Sequence, residues 1–132
     1  MHKAFAIIGT LLAAISVLLG AFGAHALKAV LSAEQLVSWE TAVRYQMYHA
    51  IALILISIVY HFLPHSGVKT AGWLIFTGTL LFSGSIYLLI AMKSTGAVGI
   101  KGLGLVTPIG GVLIMIGWVV LLFQFITKLK CK

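Results

Sequence analysis

Charged residues, and acidic residues above all, are scarce in this chain of 132 residues. Only 8% of the residues are charged, the two acidic ones are Glu34 and Glu40, and Arg44 is the only arginine. A soluble domain carries about 25% charged residues. Because 61% of the residues are hydrophobic and the mean hydropathy is +1.15, the chain lacks the polar surface that a water-soluble domain needs. The composition therefore predicts an integral membrane protein.

The chain contains no aspartate and a single cysteine, and these absences exclude several kinds of site. A Ser–His–Asp triad has no aspartate to use, and an intrachain disulfide needs a second cysteine. The metal-binding patterns HExxH, Cys–His and Glu-x-x-His do not occur. Cys131 lies among lysines and is interpreted as an incidental thiol rather than a palmitoylation site. We therefore expect no metal, no cofactor and no enzymatic activity.

Four apolar runs predict four transmembrane helices in a single domain over residues 1–132. The helices are expected at about residues 4–27, 33–63, 70–92 and 108–127. The first run, from Ala4 to Phe22, has about 19 residues, which exceeds the 7–15 of a signal-peptide core and favours a spanning helix. The fourth has about 20 residues, or about 30 Å, which is enough to cross the hydrocarbon core. The predicted fold is an all-α bundle of four transmembrane helices.

Local signals indicate where the second and fourth helices begin. Ser32 and Gln35 have the spacing of a capping box, with Glu34 in the first turn. The stretch from Ser32 to Leu63 contains no glycine or proline, so we expect a short interfacial helical segment that leads directly into helix 2. Thr107 followed by Pro108 is typical of an N-cap with proline at the first helical position, which predicts that helix 4 begins there.

Small residues at helical spacing predict the packing faces. In helix 1, Ala13, Ser16, Gly20 and Ala24 recur every three or four residues and are expected to contact helix 2. Small side chains let two backbones approach closely, and van der Waals packing stabilises helix association in lipid. The predicted packing positions of helices 3 and 4 are Gly78, Gly84, Gly110, Gly111 and Gly117.

Basic residues flank the apolar runs and predict the orientation. Four spans place both termini on the same side of the membrane as the turn at Pro64. That side carries Lys3, Lys69, Lys128, Lys130 and Lys132, and the other carries Lys28, Arg44, Lys93 and Lys101. The slight excess predicts cytoplasmic N- and C-termini in the cell membrane. The expected partners are membrane lipids and a second copy or another membrane protein, and no nucleic acid, because the net charge of +7 lies at flanking positions.

Polar residues near the start of helix 2 form the candidate site. Glu40 and Arg44 are four residues apart, as are Tyr45 and His49, so each pair shares one helical surface. His49 lies about 8 Å deeper along the helix than Arg44, and polar groups at such depth face the bundle or a cavity. The candidate ligand- or partner-binding residues are His25, Glu40, Arg44, Tyr45, Gln46, His49, Lys101 and Thr107.

These residues leave several functions open. Each member also has a structural interpretation, with Arg44 reaching the headgroups and His49 satisfied in the core. The first functional hypothesis is a non-enzymatic bundle that binds a lipid or a protein. The second is a transporter or channel subunit with His25, Glu40, Arg44 and His49 as its gate or proton site. The third is an accessory subunit that holds haem or quinone near His25 and His49. The small-residue faces and the missing catalytic set favour the first.

The start of helix 4 is also a candidate anion site. A helix N-terminus carries unpaired N–H groups and is locally positive. Lys101, Arg44 and His25 are expected to approach it, so a lipid headgroup or another anion, or Glu40 itself, is expected there. The alternative is that Thr107 caps the helix, water satisfies the remaining groups and nothing binds.

Four phrases of the sequence resemble a known family. They are GAFGAHAL, SWETAVRYQMYHAIAL, LFSGSIYLL and VTPIGG. They resemble the small membrane proteins of domain-of-unknown-function family 423, which are similar to the animal transmembrane protein 256 family. The resemblance extends from Gly9 to Trp118 and implies a four-helix integral membrane protein, bacterial in style, without implying an activity. The positions on the family motif are Gly20, Gly23, His25, Trp39, Tyr45, Gln46, His49, Ser83, Gly84, Thr107, Pro108 and Gly111.

Overall fold

Four long helices make up the part of the chain that the computed structural model describes, residues 1–96 and 102–129. They are α1 (Lys3–Ala24), α2 (Ala33–Phe62), α3 (Ser66–Ser94) and α4 (Leu103–Lys128), with a 3-10 helix at Ala26–Ala29. Lys101, Lys130, Cys131 and Lys132 lie outside the described residues. Each of the four helices is long and apolar enough to cross a membrane, and the described residues contain no strand. The protein is therefore an all-α integral membrane protein with four spans.

The start of α2 has the predicted capping box. The Ser32 hydroxyl accepts a hydrogen bond from the Gln35 backbone N–H at 3.2 Å, and Gln35 Oε1 accepts one from the Ser32 backbone N–H at 2.9 Å. The 30 residues of α2 extend over about 45 Å, which exceeds the hydrocarbon thickness of about 30 Å. The first turns of α2 therefore form an interfacial segment that continues without a break into the span.

Three helix ends differ from the predicted positions. α1 ends at Ala24, and a 3-10 turn takes the place of its expected last residues. α3 begins at Ser66 rather than near position 70, because His65 caps it: Nδ1 of His65 accepts a hydrogen bond from the Gly67 N–H at 3.2 Å. α4 begins at Leu103, so the prediction that it begins at Thr107 is wrong.

Pro108 lies in the second turn of α4 instead of at its first position. Proline has no N–H, so the helix loses one hydrogen bond at this position, to the carbonyl of Gly104 four residues earlier. The helix can begin before Pro108 because Gly102 takes a φ of +93° at the N-cap, a conformation that glycine adopts without steric cost. Thr107 is consequently no cap, and its hydroxyl lies 2.6 Å from Ser85 Oγ on α3.

The helices α2 and α3 form the middle of the bundle. The extensive interfaces are those of α1 with α2, α2 with α3, and α3 with α4. Phe5 is fully buried and reaches from α1 to Gly72 on α3, where a side chain would collide with the phenyl ring. The main hydrophobic core consists of Phe5, Leu12, Ala50, Leu53, Ile56, Val68, Ala71, Ile75 and Leu121.

Glycines bring the backbones of α3 and α4 together. A Cβ atom on Gly78 would lie 2.7 Å from the Gly110 carbonyl oxygen, and one on Gly117 would lie 2.7 Å from the Ile75 side chain. A Cβ on Gly110 would collide with the backbone nitrogen of Phe82. Gly78, Gly110 and Gly117 therefore lie in the interface, as their spacing predicts, and only glycine allows this approach.

Gly84 and Gly111 have other surroundings. The sequence predicts Gly84 as a packing position, but Gly84 is exposed, and a Cβ there would meet no atom within 4 Å. This prediction is wrong because Gly84 lies on the side of α3 that faces away from its neighbours. Gly111 is half-buried, and a Cβ there would make an ordinary contact of 3.8 Å with Phe82. Gly111 is therefore not a point of close backbone approach.

The contact face of α1 is rotated from the predicted stripe. Of that stripe, Ser16 is buried and a Cβ on Gly20 would lie 3.5 Å from Val43, but Ala13 is only half-buried and Ala24 is exposed. The closest approaches of α1 to α2 are at two glycines outside the stripe, Gly9 and Gly23. A Cβ on Gly9 would lie 2.7 Å from the Ala50 carbonyl oxygen, and one on Gly23 would lie 2.7 Å from the Trp39 ring. Gly9, Ser16 and Gly23 recur at the seven-residue spacing of packed helices. The predicted stripe, with its spacing of three or four residues, includes only Ser16 of these three.

We expect Gly110→Ala to destabilise the bundle by about 1–3 kcal/mol. The added methyl group meets backbone atoms of Phe82 and Gly78, which cannot rotate away. The measurement is the free energy of unfolding in mild detergent, followed by circular dichroism during an SDS titration. Gly84→Ala is the matched control and should not lower stability, because the space around it is open. Equal loss of stability in the two variants would contradict the close approach of α3 and α4.

Candidate functional site

The ion pair of Glu40 and Arg44 lies on the exposed surface of α2, next to α1. Arg44 Nη2 is 3.5 Å from Glu40 Oε2, and their side chains are 62% and 63% exposed. Both residues line a small cavity together with Gly20 and Ala24 of α1. Exposed ion pairs contribute about 0–1 kcal/mol, so this pair adds little stability. Because Arg44 faces α1, the expected meeting of Arg44 with the start of helix 4 does not occur.

The other members of the predicted anion site are also apart. His25 is exposed at the end of α1 and lines a shallow cavity with Leu18, Phe22 and two alanines. Thr107 lies inside α4 and does not cap that helix; its hydroxyl forms a hydrogen bond with the Ser85 hydroxyl on α3. Lys101 lies outside the described residues. Arg44 and His25 therefore do not lie at the start of α4, and Thr107 does not cap it, as the predicted anion site requires.

Gln46 joins three helices through one buried amide. The side chain is only 4% exposed. Its Nε2 donates a hydrogen bond to the Leu12 carbonyl oxygen on α1 at 3.0 Å, and its Oε1 accepts one from the Tyr87 hydroxyl on α3 at 3.0 Å. The same Leu12 carbonyl also accepts a hydrogen bond from Ser16 Oγ at 2.9 Å. Polar groups in hydrocarbon need internal partners, and this network supplies them.

Further polar contacts link the helices in the same half of the bundle. Ser83 Oγ donates to the Ala42 carbonyl at 2.8 Å, which joins α3 to α2. Trp39 Nε1 donates to the Leu19 carbonyl at 2.9 Å, which joins α2 to α1. The hydroxyls of Ser85 and Thr107 join α3 to α4. Gln46 and Thr107, two of the predicted site residues, are therefore engaged in contacts between helices.

His49 is buried without a full set of partners. It is 6% exposed, and its Nδ1 lies 2.6 Å from the Tyr45 carbonyl oxygen one turn earlier. A carbonyl oxygen only accepts hydrogen bonds, so Nδ1 carries the proton. In the neutral ring Nε2 is then an acceptor with a free lone pair. Within residues 1–96 and 102–129, no hydrogen bond to Nε2 is formed.

His49 lines a groove between α2 and α4. The groove has a volume of about 430 Å³. Its α2 wall consists of Tyr45 and His49. Its α4 wall is apolar except for the indole N–H of Trp118, and consists of Gly111, Ile114, Met115, Trp118, Val119 and Leu122. The ring centroids of Tyr45 and Trp118 lie 6.0 and 6.3 Å from that of His49. Since Met115 and Leu122 are 60% and 54% exposed, the groove opens on the lipid-facing surface of the bundle.

The interior of the bundle next to His49 is apolar. Ala50, Leu53 and Ile56 continue α2 toward the other face of the membrane and are at most 1% exposed, and they pack in the core with Ile75 of α3. A transporter or channel needs a wet pathway that passes His49 toward the midplane. In the described residues the core fills this position with side chains, and the polar residues proposed as a gate lie on separate surfaces.

The two histidines of the haem hypothesis lie in different places. His25 lines a cavity on the outer side of α1, whereas His49 lines the groove between α2 and α4. Haem held by two histidines needs both imidazoles on one iron. The described residues also contain no group of three or more metal-ligating side chains. The geometry therefore gives no support to a bis-histidine haem site.

A second cavity lies at the membrane surface between the start of α2 and the end of α3. It has a volume of about 380 Å³, and its charged side chains are Glu34 and Lys93. The hydroxyls of Ser38 and Thr41 in its wall donate to carbonyl oxygens of their own helix. Because the charged groups are exposed and these hydroxyls are satisfied, the cavity holds no buried group in need of a ligand. The groove at His49 is thus the stronger candidate.

Comparison with known proteins places the chain among uncharacterised membrane proteins. The family model described as Protein of unknown function (DUF423) matches residues 19–111. The chain is 47% identical over 120 residues to UPF0382 membrane protein SAB0533 of Staphylococcus aureus, which covers 91% of this chain and 93% of that protein. It is 42% identical over 120 residues to UPF0382 membrane protein YwdK of Bacillus subtilis, with 90% and 93% covered. No solved structure matches the chain.

A double-mutant cycle of Gln46→Leu and Tyr87→Phe should show coupling of about 0.5–1.5 kcal/mol, because each change alone removes the same hydrogen bond. The measurement is the free energy of unfolding in mild detergent. Gln46→Leu combined with Thr127→Val is the control cycle and should be additive, since Thr127 bonds only to the Phe123 carbonyl of its own helix. Additive effects in the first cycle would show that the Gln46–Tyr87 contact does not stabilise the bundle.

Proposed function

Because the chain belongs to the family described as Protein of unknown function (DUF423), for which no activity is stated, we propose its role from the groove. The protein is a non-enzymatic membrane protein that holds a lipid between α2 and α4. The observation that carries this proposal is His49, a side chain 6% exposed whose unpaired Nε2 lies in a groove with an apolar α4 wall. A buried polar group at this depth needs a partner, and a lipid is the partner that the surroundings supply.

The dimensions of the groove support a single lipid chain as the occupant. Its α4 wall extends from Gly111 to Leu122, which corresponds to about 16 Å along the helix. Half of a hydrocarbon core of about 30 Å is about 15 Å, so the wall matches the chain length of one leaflet. A groove that runs along a helix and opens to lipid accommodates an extended chain better than a globular ligand.

The polar side chains elsewhere favour binding over transport. Glu40 and Arg44 form their own pair beside α1, and Gln46 uses its amide to join α1 and α3. The core next to His49 is apolar. Among the described residues, the fully buried side-chain atoms without a partner, His2 Nδ1, Ser57 Oγ and Gln124 Oε1, lie outside the groove. His49 Nε2 is therefore a single acceptor that faces the groove rather than a member of a chain of polar groups, and one such atom is suited to holding a ligand in place. A protein helix in the groove is the alternative occupant that the experiment below distinguishes.

The proposed location is the cell membrane, with cytoplasmic N- and C-termini. In the described residues, Lys3, Lys69 and Lys128 lie at the ends of α1, α3 and α4 that share one face. Lys28, Lys93 and Arg44 lie toward the opposite face. When the sequence positions of Lys130 and Lys132 are added to the first face and that of Lys101 to the opposite face, the first face has a slight excess of basic residues, five against four, which favours the cytoplasm.

A reporter fused after Lys132 should be active only in its cytoplasmic form. The expected result follows from the even number of spans and from the excess of basic residues at the terminal face. A pair of fusions, one active only inside the cell and one active only outside, gives the measurement. Activity of the external reporter alone would reverse the proposed orientation.

A phospholipid with a diazirine in its acyl chain should label residues 111–122 of the protein. The substitution Leu122→Trp should reduce the amount of this labelling by about fivefold, which corresponds to about 1 kcal/mol of binding free energy. The indole fills the groove that Leu122 lines. Leu55→Trp is the matched control, because Leu55 on α2 is also 54% exposed and lies outside the groove. It should leave the labelling unchanged.

Two outcomes of this experiment contradict the proposal. Equal labelling of the two tryptophan variants would show that the lipid lies elsewhere. Crosslinking of the groove residues to a second protein copy, with no lipid adduct, would identify the groove as a protein interface.

A further inference from the structure

We infer that the lipid in the groove carries a hydroxyl group that donates a hydrogen bond to His49 Nε2. The ligand is a membrane alcohol on a long hydrophobic chain, and not a lipid whose polar groups only accept hydrogen bonds. This inference rests on the proposed function and names its ligand class. It follows from the proton on Nδ1, the charge state of the ring and the residues around Nε2.

The contact with Tyr45 determines which nitrogen accepts. The Tyr45 carbonyl oxygen has no proton to give, so the distance of 2.6 Å to His49 Nδ1 requires the proton on Nδ1. The main chain of α2 holds this carbonyl in place, and the imidazole is fixed on the same helix one turn later. The ring therefore presents Nε2, and not Nδ1–H, to a molecule in the groove.

The surroundings of the ring favour the neutral form. A charged imidazole in hydrocarbon needs a counter-ion. The two acidic side chains, Glu34 and Glu40, lie about 22 Å and 14 Å from His49 along α2, toward the membrane surface. Glu40 is already paired with Arg44. The rings that face His49, those of Tyr45 and Trp118, carry no charge, so the neutral ring presents a lone pair at Nε2.

A lone pair at this position selects a donor. Ester carbonyls and phosphate oxygens of lipids accept hydrogen bonds, so they repel Nε2 rather than pair with it. A hydroxyl group donates and satisfies the buried nitrogen. The two donors in the lining of the groove, the Trp118 indole N–H and the Tyr45 hydroxyl, form no hydrogen bond to Nε2 within the described residues. Water is scarce at about 8 Å below the level of Arg44. The donor must therefore arrive on a hydrophobic molecule.

Two kinds of membrane alcohol share this chemistry. One is an aliphatic prenyl alcohol, whose chain fits along the apolar α4 wall. The other is a phenol or quinol with a prenyl tail, whose flat ring can pack against the rings of Tyr45 and Trp118 near His49. Their shared feature is one hydroxyl donor on a long apolar skeleton. Both kinds are included in the experiment.

The test is competition against the diazirine phospholipid on the purified protein in nanodiscs. The probes are two matched pairs: farnesol with farnesyl methyl ether, and decyl hydroquinone with its dimethyl ether. Each ether keeps the skeleton and lacks the donor. At least one alcohol should displace the phospholipid at about fivefold lower concentration than its ether. The pair with the larger ratio identifies which kind of alcohol the groove prefers.

Two variants assign the preference to His49. His49→Phe should still be labelled by the phospholipid but should bind alcohol and ether equally. His25→Phe is the matched control, because His25 lines a different cavity, and it should keep the preference. The ¹⁵N resonance of His49 Nε2 in the unaltered protein gives a second readout, since it should shift when the alcohol is added and not when the ether is added.

The outcomes separate this inference from the proposed function. Equal competition by alcohol and ether in the unaltered protein would overturn the hydroxyl requirement while the groove remains a lipid site. Competition by neither pair, with the groove still labelled by the phospholipid, would also overturn it. If His49→Phe does not fold, the ratio and the ¹⁵N shift in the unaltered protein decide alone. Failure of the phospholipid to label residues 111–122 would overturn the proposed function itself.

Discussion

The amide of Gln46 is the contact on which the arrangement of the first three helices depends. In hydrocarbon, a buried amide must find partners within the protein, and Gln46 finds one on α1 and one on α3. This requirement fixes the rotation of α2 about its own axis. His49 lies three residues later, and three residues correspond to a turn of about 300° around a helix. While Gln46 points between α1 and α3, His49 is therefore offset by about 60° and faces α4.

Much of the fold could be predicted from the sequence because its signals are local. The four spans follow from apolar length, and the start of α2 follows from Ser32 and Gln35. The start of α4 could not be predicted in this way, because the Thr107–Pro108 pattern fits an N-cap and an early helical position equally well. The positive φ of Gly102 decides between them. The contact face of α1 depends on the tertiary fit of Gly9 and Gly23 against α2.

The candidate site was predicted only in part, for a related reason. Residue type and depth point to Gln46 and His49, but they do not say which neighbour each one faces. Helical spacing pairs Arg44 with Glu40, as observed, yet it cannot place that pair beside α1 rather than α4. Tyr87 and the Leu12 carbonyl complete the Gln46 network. Tyr87 lies within the phrase LFSGSIYLL, but the phrase does not indicate which residue the hydroxyl contacts, and a main-chain carbonyl leaves no signal in the sequence.

The groove at His49 is a consequence of how α4 packs. Gly78, Gly110 and Gly117 bring α4 against the backbone of α3, and the hydroxyl contact between Ser85 and Thr107 holds the two helices together at one end. These small residues place α4 close to α3. The side of α4 that faces α2 is left without a close contact to α2 along the groove. The space that remains is lined by His49. The glycines that stabilise the interface of α3 with α4 thereby leave the space between α2 and α4 open. Among the described residues that line this space, the strong hydrogen-bond acceptors are the His49 imidazole and the Tyr45 hydroxyl.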